Sequence, residues 1–163
     1  MRIKQSIGAH FKNGGSCIEV KEDTMYGLDK TRAFYLFDVV PMGAVRMSQS
    51  DRWKTNPNHK DPRKRQRKSV TEHFAFKDAL RLQAKAMGFE LKTYLDCVFM
   101  MPMPDSWSEK KKDKMNGLPC KVRPDIDNLC KIVVDSLKSE DGDVWSIKAE
   151  KRWAYKGSII IFA

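Results

Sequence analysis

The run Arg123-Pro124-Asp125-Ile126-Asp127-Asn128-Leu129-Cys130-Lys131-Ile132-Val133-Val134-Asp135-Ser136-Leu137-Lys138 holds the most regular pattern in the chain. Its apolar residues Ile126, Leu129, Cys130, Val133, Val134 and Leu137 fall at i, i+3, i+4, i+7, i+8 and i+11, one face of a 3.6-residue period. The spacing predicts an amphipathic helix from Ile126 to about Lys138. Pro124 fixes the backbone just before it, and acids in a first turn suit the helix dipole.

The flanks of this helix read mainly as strands. Downstream, Glu140 to Gly142 form a turn, Val144 to Tyr155 alternates loosely, and Lys156-Gly157 leads into a last strand, Ser158 to Phe162. Upstream, Leu91 to Met101 is a strand closed by Pro102 and Pro104. Ala33 to Val40, aromatic and β-branched, is a buried strand ended by Pro41-Met42-Gly43. Between these two, Ser69 is expected to cap a helix running to Met87, with Glu72 as its capping-box partner and Gly88 as its stop. Val70, Phe74, Leu80 and Met87 supply its apolar positions. Ser106 is expected to cap a short helix through Lys114, and Pro119 to Pro124 is an extended connector. Residues 44–68 read as a long, polar, basic loop. Asn13-Gly14-Gly15 marks a hairpin turn between Ser6–Phe11 and Ile18–Val20.

The 163 residues suit one domain, and the formal net charge is +10. That charge is uneven. Residues 41–124 carry nineteen Lys/Arg against nine Asp/Glu, while residues 125–163 carry six against seven. A basic surface joined to an acidic patch suggests a polyanionic partner and a separate need for carboxylates; the plain alternative is solubility. No apolar run approaches the ~18 residues of a membrane span, and Met1 to Gly8 lacks the apolar core of a signal peptide. No membrane partner is expected, and the expected location is the cytoplasm. Cys17, Cys97, Cys120 and Cys130 form no C-x-x-C pair and have no nearby His, so free thiols are expected rather than a zinc site. Cys97 and Cys130 fall where core residues would.

Asp125 and Asp127 flank the start of the helix. Taken singly, Asp125 is an N-cap and Asp127 an ordinary first-turn acid. Asp127, Lys131 and Asp135 then line one stripe at i, i+4 and i+8, where the plain reading of Asp127 and Lys131 is a surface pair. A second acidic cluster, Glu140-Asp141-Gly142-Asp143, follows within one helix length. Should the chain turn back after Lys138, carboxylates converge without His or Cys. That is a hard-oxygen site suited to Mg²⁺ or Mn²⁺. Beside a basic surface it fits phosphodiester cleavage.

The run Pro124-Asp125-Ile126-Asp127-Asn128-Leu129-Cys130-Lys131, followed by Val134-Asp135-Ser136-Leu137, resembles the signature of the RusA family of Holliday junction resolvases. Glu140-Asp141, Val144 to Ile147 and Glu150-Lys151-Arg152-Trp153 resemble the acidic pair, strand and basic-aromatic run that follow in that family. Met100 to Trp107 and Pro41-Met42-Gly43-Ala44-Val45-Arg46 resemble its upstream segments. The resemblance covers about residues 36–156. It implies a small single α+β domain, a mixed β-sheet packed against helices, that acts as a homodimer. It implies a Mg²⁺-dependent endonuclease, with Mn²⁺ as a substitute, that nicks symmetric strands of four-way junction DNA. Asp125, Asp127 and Asp141 match the catalytic, metal-holding aspartates and Lys131 the catalytic lysine; Asn128 and Asp135 match supporting positions. The acidic pair is Glu-Asp where the family has Asp-Asp, so Asp143 stands as the alternative third ligand. Residues 1–31 lie outside the resemblance as an N-terminal extension, and residues 32–163 form the nuclease domain.

On this reading, affinity comes from the middle segment. Arg46, Arg52, Lys54, Arg63, Lys64, Arg65, Arg67 and Lys68, with Lys110, Lys111 and Lys112, are the candidates for phosphate contact. Trp53 either stacks on an unpaired base or packs on the body. Two active sites on one junction require a dimer. Two rivals remain: a catalytically silent binder of branched DNA or duplex, and a basic scaffold that self-associates. The first predicts no nicking with Mg²⁺, and the second predicts salt-sensitive assembly without DNA preference.

Overall fold

The four strands expected after residue 32 form one mixed sheet in a computed structural model that describes residues 33–162. In chain order the elements are β1 (Phe34–Phe37), α1 (Lys68–Ala86), β2 (Tyr94–Pro102), α2 (Glu109–Met115), α3 (Ile126–Leu137), β3 (Ser146–Ala154) and β4 (Ser158–Phe162). The strand order is β1-β4-β2-β3. β4 runs antiparallel to both neighbours, pairing Phe34 with Phe162 and Cys97 with Ile161. β2 and β3 run parallel, from Tyr94 opposite Ser146 to Pro102 opposite Ala154. The last strand therefore crosses to the far side of β2 instead of pairing with the strand just before it. The sequence-predicted α+β class, with a mixed sheet against helices, is what forms.

Strand alternation sorts the core into two faces. Phe37, Cys97, Phe99, Met101, Ile159 and Ile161 are buried with Leu80, Leu129, Ile132 and Val133 of the helices. Val98, Met100, Ala154, Ile160 and Phe162 form a second buried cluster on the other face, with Phe34 and Leu36 against it. α1 and α3 pack on each other, and Arg81 Nε of α1 donates to the Ser136 carbonyl at 2.9 Å, satisfying a free end of α3. Cys97, Cys120 and Cys130 are buried free thiols, as expected. The Cys97 thiol is pushed up by its hydrogen bond to Cys130 and by burial.

Several boundaries differ from expectation. α1 is entered from Arg67, not capped by Ser69, and Glu72 faces Lys68 at 3.5 Å instead of closing a box. Phe74 is 46% exposed; the buried stripe is Val70, His73, Phe76, Leu80 and Ala84. α2 starts at Glu109, with Ser108 rather than Ser106 before it. β2 starts at Tyr94, three residues later than expected. Gly88 ends α1 as predicted, at φ +61°, a conformation that costs glycine nothing. The basic loop contains two short 3₁₀ turns, Gln49–Arg52 and Pro62–Lys64. The hairpin expected within residues 6–20 and Cys17 lie outside the described residues. Among the described residues no helix is long and apolar enough to cross a membrane.

Candidate active site

Asp125 sits in extended backbone (φ −70°, ψ 150°) just before α3, and its carbonyl accepts the Leu129 N–H at 3.1 Å. Its side chain makes no capping hydrogen bond. The backbone therefore occupies the N-cap position, while the carboxylate does not perform the capping that a structural reading of Asp125 requires. Asp127 is exposed one turn before Lys131, and both side chains face a groove. That groove, about 500 Å³, runs between α3 and the edge strand β3. Asp127, Lys131 and Asp135 line it from the helix, Val144, Ile147 and Ala149 from the strand side, and Cys130 and Val134 lie between them. The i, i+4, i+8 stripe is thus one wall of a single concave surface.

Two other segments hold the helix start in place. Ala44 N–H donates to the Asn128 carbonyl at 3.2 Å, which ties the early basic turn to α3. A Cβ on Gly43 would stand 3.0 Å from Pro124 Cβ, so any larger residue there would press on Pro124. From β3, Lys151 Nζ donates to the Pro124 carbonyl at 2.6 Å and to the Val122 carbonyl. The Arg123–Pro124 peptide is cis. Asp135 lies half-buried at the far end of the groove, where its charge opposes the burial and the Lys77 charge that together lower the His73 pKa.

In the second acidic cluster, Asp141 and Asp143 lie in the short turn Asp141–Asp143, just after Glu140. Asp143 is exposed and pairs with Lys138, just past the end of α3, at 3.6 Å. Among the described residues no three His, Cys, Asp or Glu side chains gather as a metal-holding set. The donors that Asp125 and Asp127 offer at the α3 start are carboxylate oxygens, which fits a hard divalent cation in kind.

The basic candidates divide in two. Asp51 is 5% exposed, and its carboxylate accepts from Arg67 Nε at 2.9 Å, from an Arg67 terminal nitrogen at 2.6 Å, and from the Ser48 N–H and hydroxyl. Arg67 and Ser48 hold the Asp51 carboxyl well below the usual carboxylate range. Arg67 also donates to the Arg46 carbonyl at 3.1 Å, so one arginine ties both ends of the loop together. Arg65 donates to the His59 and Lys60 carbonyls. Lys112 pairs with Glu109 at 3.0 Å, and Lys111 stands 4.0 Å over the Trp107 ring. Arg46, Arg52, Lys54, Arg63, Lys64 and Lys110 have no ion pair with the described residues, and Trp53 is 85% exposed.

Sequence reasoning missed Asp51 and Lys151. Ser48-x-x-Asp51 is a short capping box, a signal that was available. Lys151 stood out only as part of the basic-aromatic run, and its role was hidden because its partners are backbone carbonyls 27 and 29 positions away.

Residues 41–162 match the family model described as Endodeoxyribonuclease RusA. No curated protein and no solved structure matches the chain.

Proposed function

The chain belongs to the endodeoxyribonuclease RusA family of Holliday junction resolving nucleases, and on that premise we propose a Mg²⁺-dependent homodimer that makes paired symmetric nicks in four-way DNA junctions. It acts in the cytoplasm of a bacterium or a phage-infected cell, through residues 32–163. The observation that carries the reading is the helix start itself. The Asp125 carboxylate is not used as a cap, and Asp127 and Lys131 share one wall of an open groove.

Asp125, Asp127 and Asp141 are the residues that would hold the metal, with Asp143 as the alternative third. When bound, the cation supplies Lewis acidity toward the scissile phosphate and a nucleophile at neutral pH. Lys131, one turn after Asp127, aims its ammonium at the charge that grows on the same phosphate. Arg46, Arg52, Lys54, Arg63, Lys64 and Lys110 draw the junction in, and a four-way junction with two equivalent strands calls for two copies of the chain.

The test is incubation with a synthetic four-way junction, a matched duplex and a flap, each with Mg²⁺, with Mn²⁺ or with chelator. Symmetric, metal-dependent nicking of the junction alone is expected. Junction binding without nicking in either metal would assign the silent binder instead.

A further inference from the structure

We propose that Lys151 is the positioning residue that aims the Asp125 carboxylate at the metal. The proposal rests on the reading of Asp125 as a ligand. Lys151 lies half-buried on β3, the edge strand. The segment before α3 runs along that edge: Gly117 N–H donates to the Trp153 carbonyl at 2.9 Å, Trp153 N–H to Leu118 at 2.9 Å, and Cys120 N–H to Lys151 at 2.8 Å. Among the described residues no further backbone hydrogen bond joins β3 to residues 121–124. Beyond that point the Lys151 side chain takes over, donating to the Val122 and Pro124 carbonyls. The second of these belongs to the residue bonded directly to Asp125.

An ammonium group has three donors, is expensive to desolvate, and usually finds a carboxylate. Lys151 has no ion pair with the described residues, and its bonds go to carbonyls of one turn. The Asp125 side chain has no capping bond of its own to hold it. Its direction is therefore set by the backbone that carries it, and Lys151 sets that backbone. A misaimed ligand weakens metal binding before it affects any step that follows.

The experiment compares Lys151→Met, Lys151→Gln and Lys151→Arg with the wild-type chain. Mn²⁺ affinity is measured by calorimetry without DNA, and junction nicking is followed across a Mg²⁺ titration. Lys151→Met is expected to weaken Mn²⁺ binding and raise the half-saturating Mg²⁺ by about tenfold, within the range for groups that orient metal ligands. Turnover at saturating Mg²⁺ should change far less. Lys151→Arg, which keeps cationic donors, should restore most of the affinity, and Lys151→Gln should fall between. If Lys151→Met does not fold, the Gln and Arg variants carry the comparison. Wild-type Mn²⁺ affinity in a folded Lys151→Met or Lys151→Gln chain overturns the proposal. So does a loss of turnover with unchanged metal affinity. A wild-type chain that binds Mn²⁺ but does not nick junctions breaks the functional reading alone, and the Mn²⁺ titrations then still decide the role of Lys151. Asp125→Asn binding Mn²⁺ as the wild type does overturns both.

Discussion

The basic loop at residues 46–67 and the acidic start of α3 are both exposed and each is dominated by one sign of charge, yet each is organised by a residue of the opposite sign. In the loop that residue is Asp51, buried against Arg67 and Ser48. At α3 it is Lys151, which holds the carbonyls before Asp125. Like charges cannot order one another. A single counter-charge with several hydrogen bonds both relieves repulsion and fixes geometry. The tied residue in each region is scaffold, and the untied majority is left for a ligand. By that rule Arg67 and Arg65 belong to the loop's framework, while Arg52, Arg63 and Lys64 are the bases left for the proposed DNA contact.

The largest expected effect breaks the acidic half. Asp127→Asn removes an untied carboxylate, so nicking should fall on the order of a thousandfold while junction binding in chelator stays intact. Fold should be unaffected, since Asp127 is exposed on its helix. Retained nicking would show that the untied acids are only a charged surface. Lys131 sharpens the rule from the other side. It is a base among acids, yet it is exposed and has no ion pair with the described residues. An untied minority charge is expected to work on the substrate. Lys131→Ala should therefore cost about a hundredfold in turnover and leave Mn²⁺ affinity alone. Unchanged turnover, or a lower melting temperature as the sole effect, would make Lys131 scaffold as well.

The two regions also differed in how far they could be read in advance. α3 was legible to within one residue because its apolar face and its acids follow one short period. The last strand was legible for a similar reason, but its neighbour was not, since strand order is set by tertiary packing. α1 misled because Phe74 and Phe76 lie on different faces, and only packing against β1 and α3 selects the second. Its first turn misled because Arg67 is fixed by Asp51, sixteen residues earlier, and not by a local cap. The candidate acids and bases were all visible as residue types. Which of the bases were already committed was not, because carbonyl and long-range ion-pair partners leave no periodic trace.

A smaller effect is expected from the free bases of the loop. Replacing Arg63 and Lys64 together by Ala should make junction binding less sensitive to salt. The slope of log affinity against log salt should flatten by about one unit for each phosphate that is no longer neutralised. Turnover at saturating junction should not change. A slope equal to that of the wild type would remove these two residues from the DNA surface and weaken the division between tied and untied bases.

The smallest effect separates geometry from charge. Asp51→Asn keeps the shape of the side chain but gives up the ion pair to Arg67, so the loop must be ordered when DNA binds. Junction affinity should fall about fivefold, the scale for immobilising one or two side chains. The salt slope should hold or rise slightly, because every untied base is still present and Arg67 is released. The pH dependence has a definite sign. A carboxyl held below its ordinary value of 3.8 contributes above that value, and loses its contribution only as the pH falls through its lower folded value. Protease cutting of the wild-type loop should therefore not vary between about pH 8 and pH 5 through this group. The variant should be cut faster throughout that range. A pH-dependent loss of protection in the wild-type chain over the same range would mean that something other than Asp51 closes the loop. The loop and the helix start would then not share a common principle.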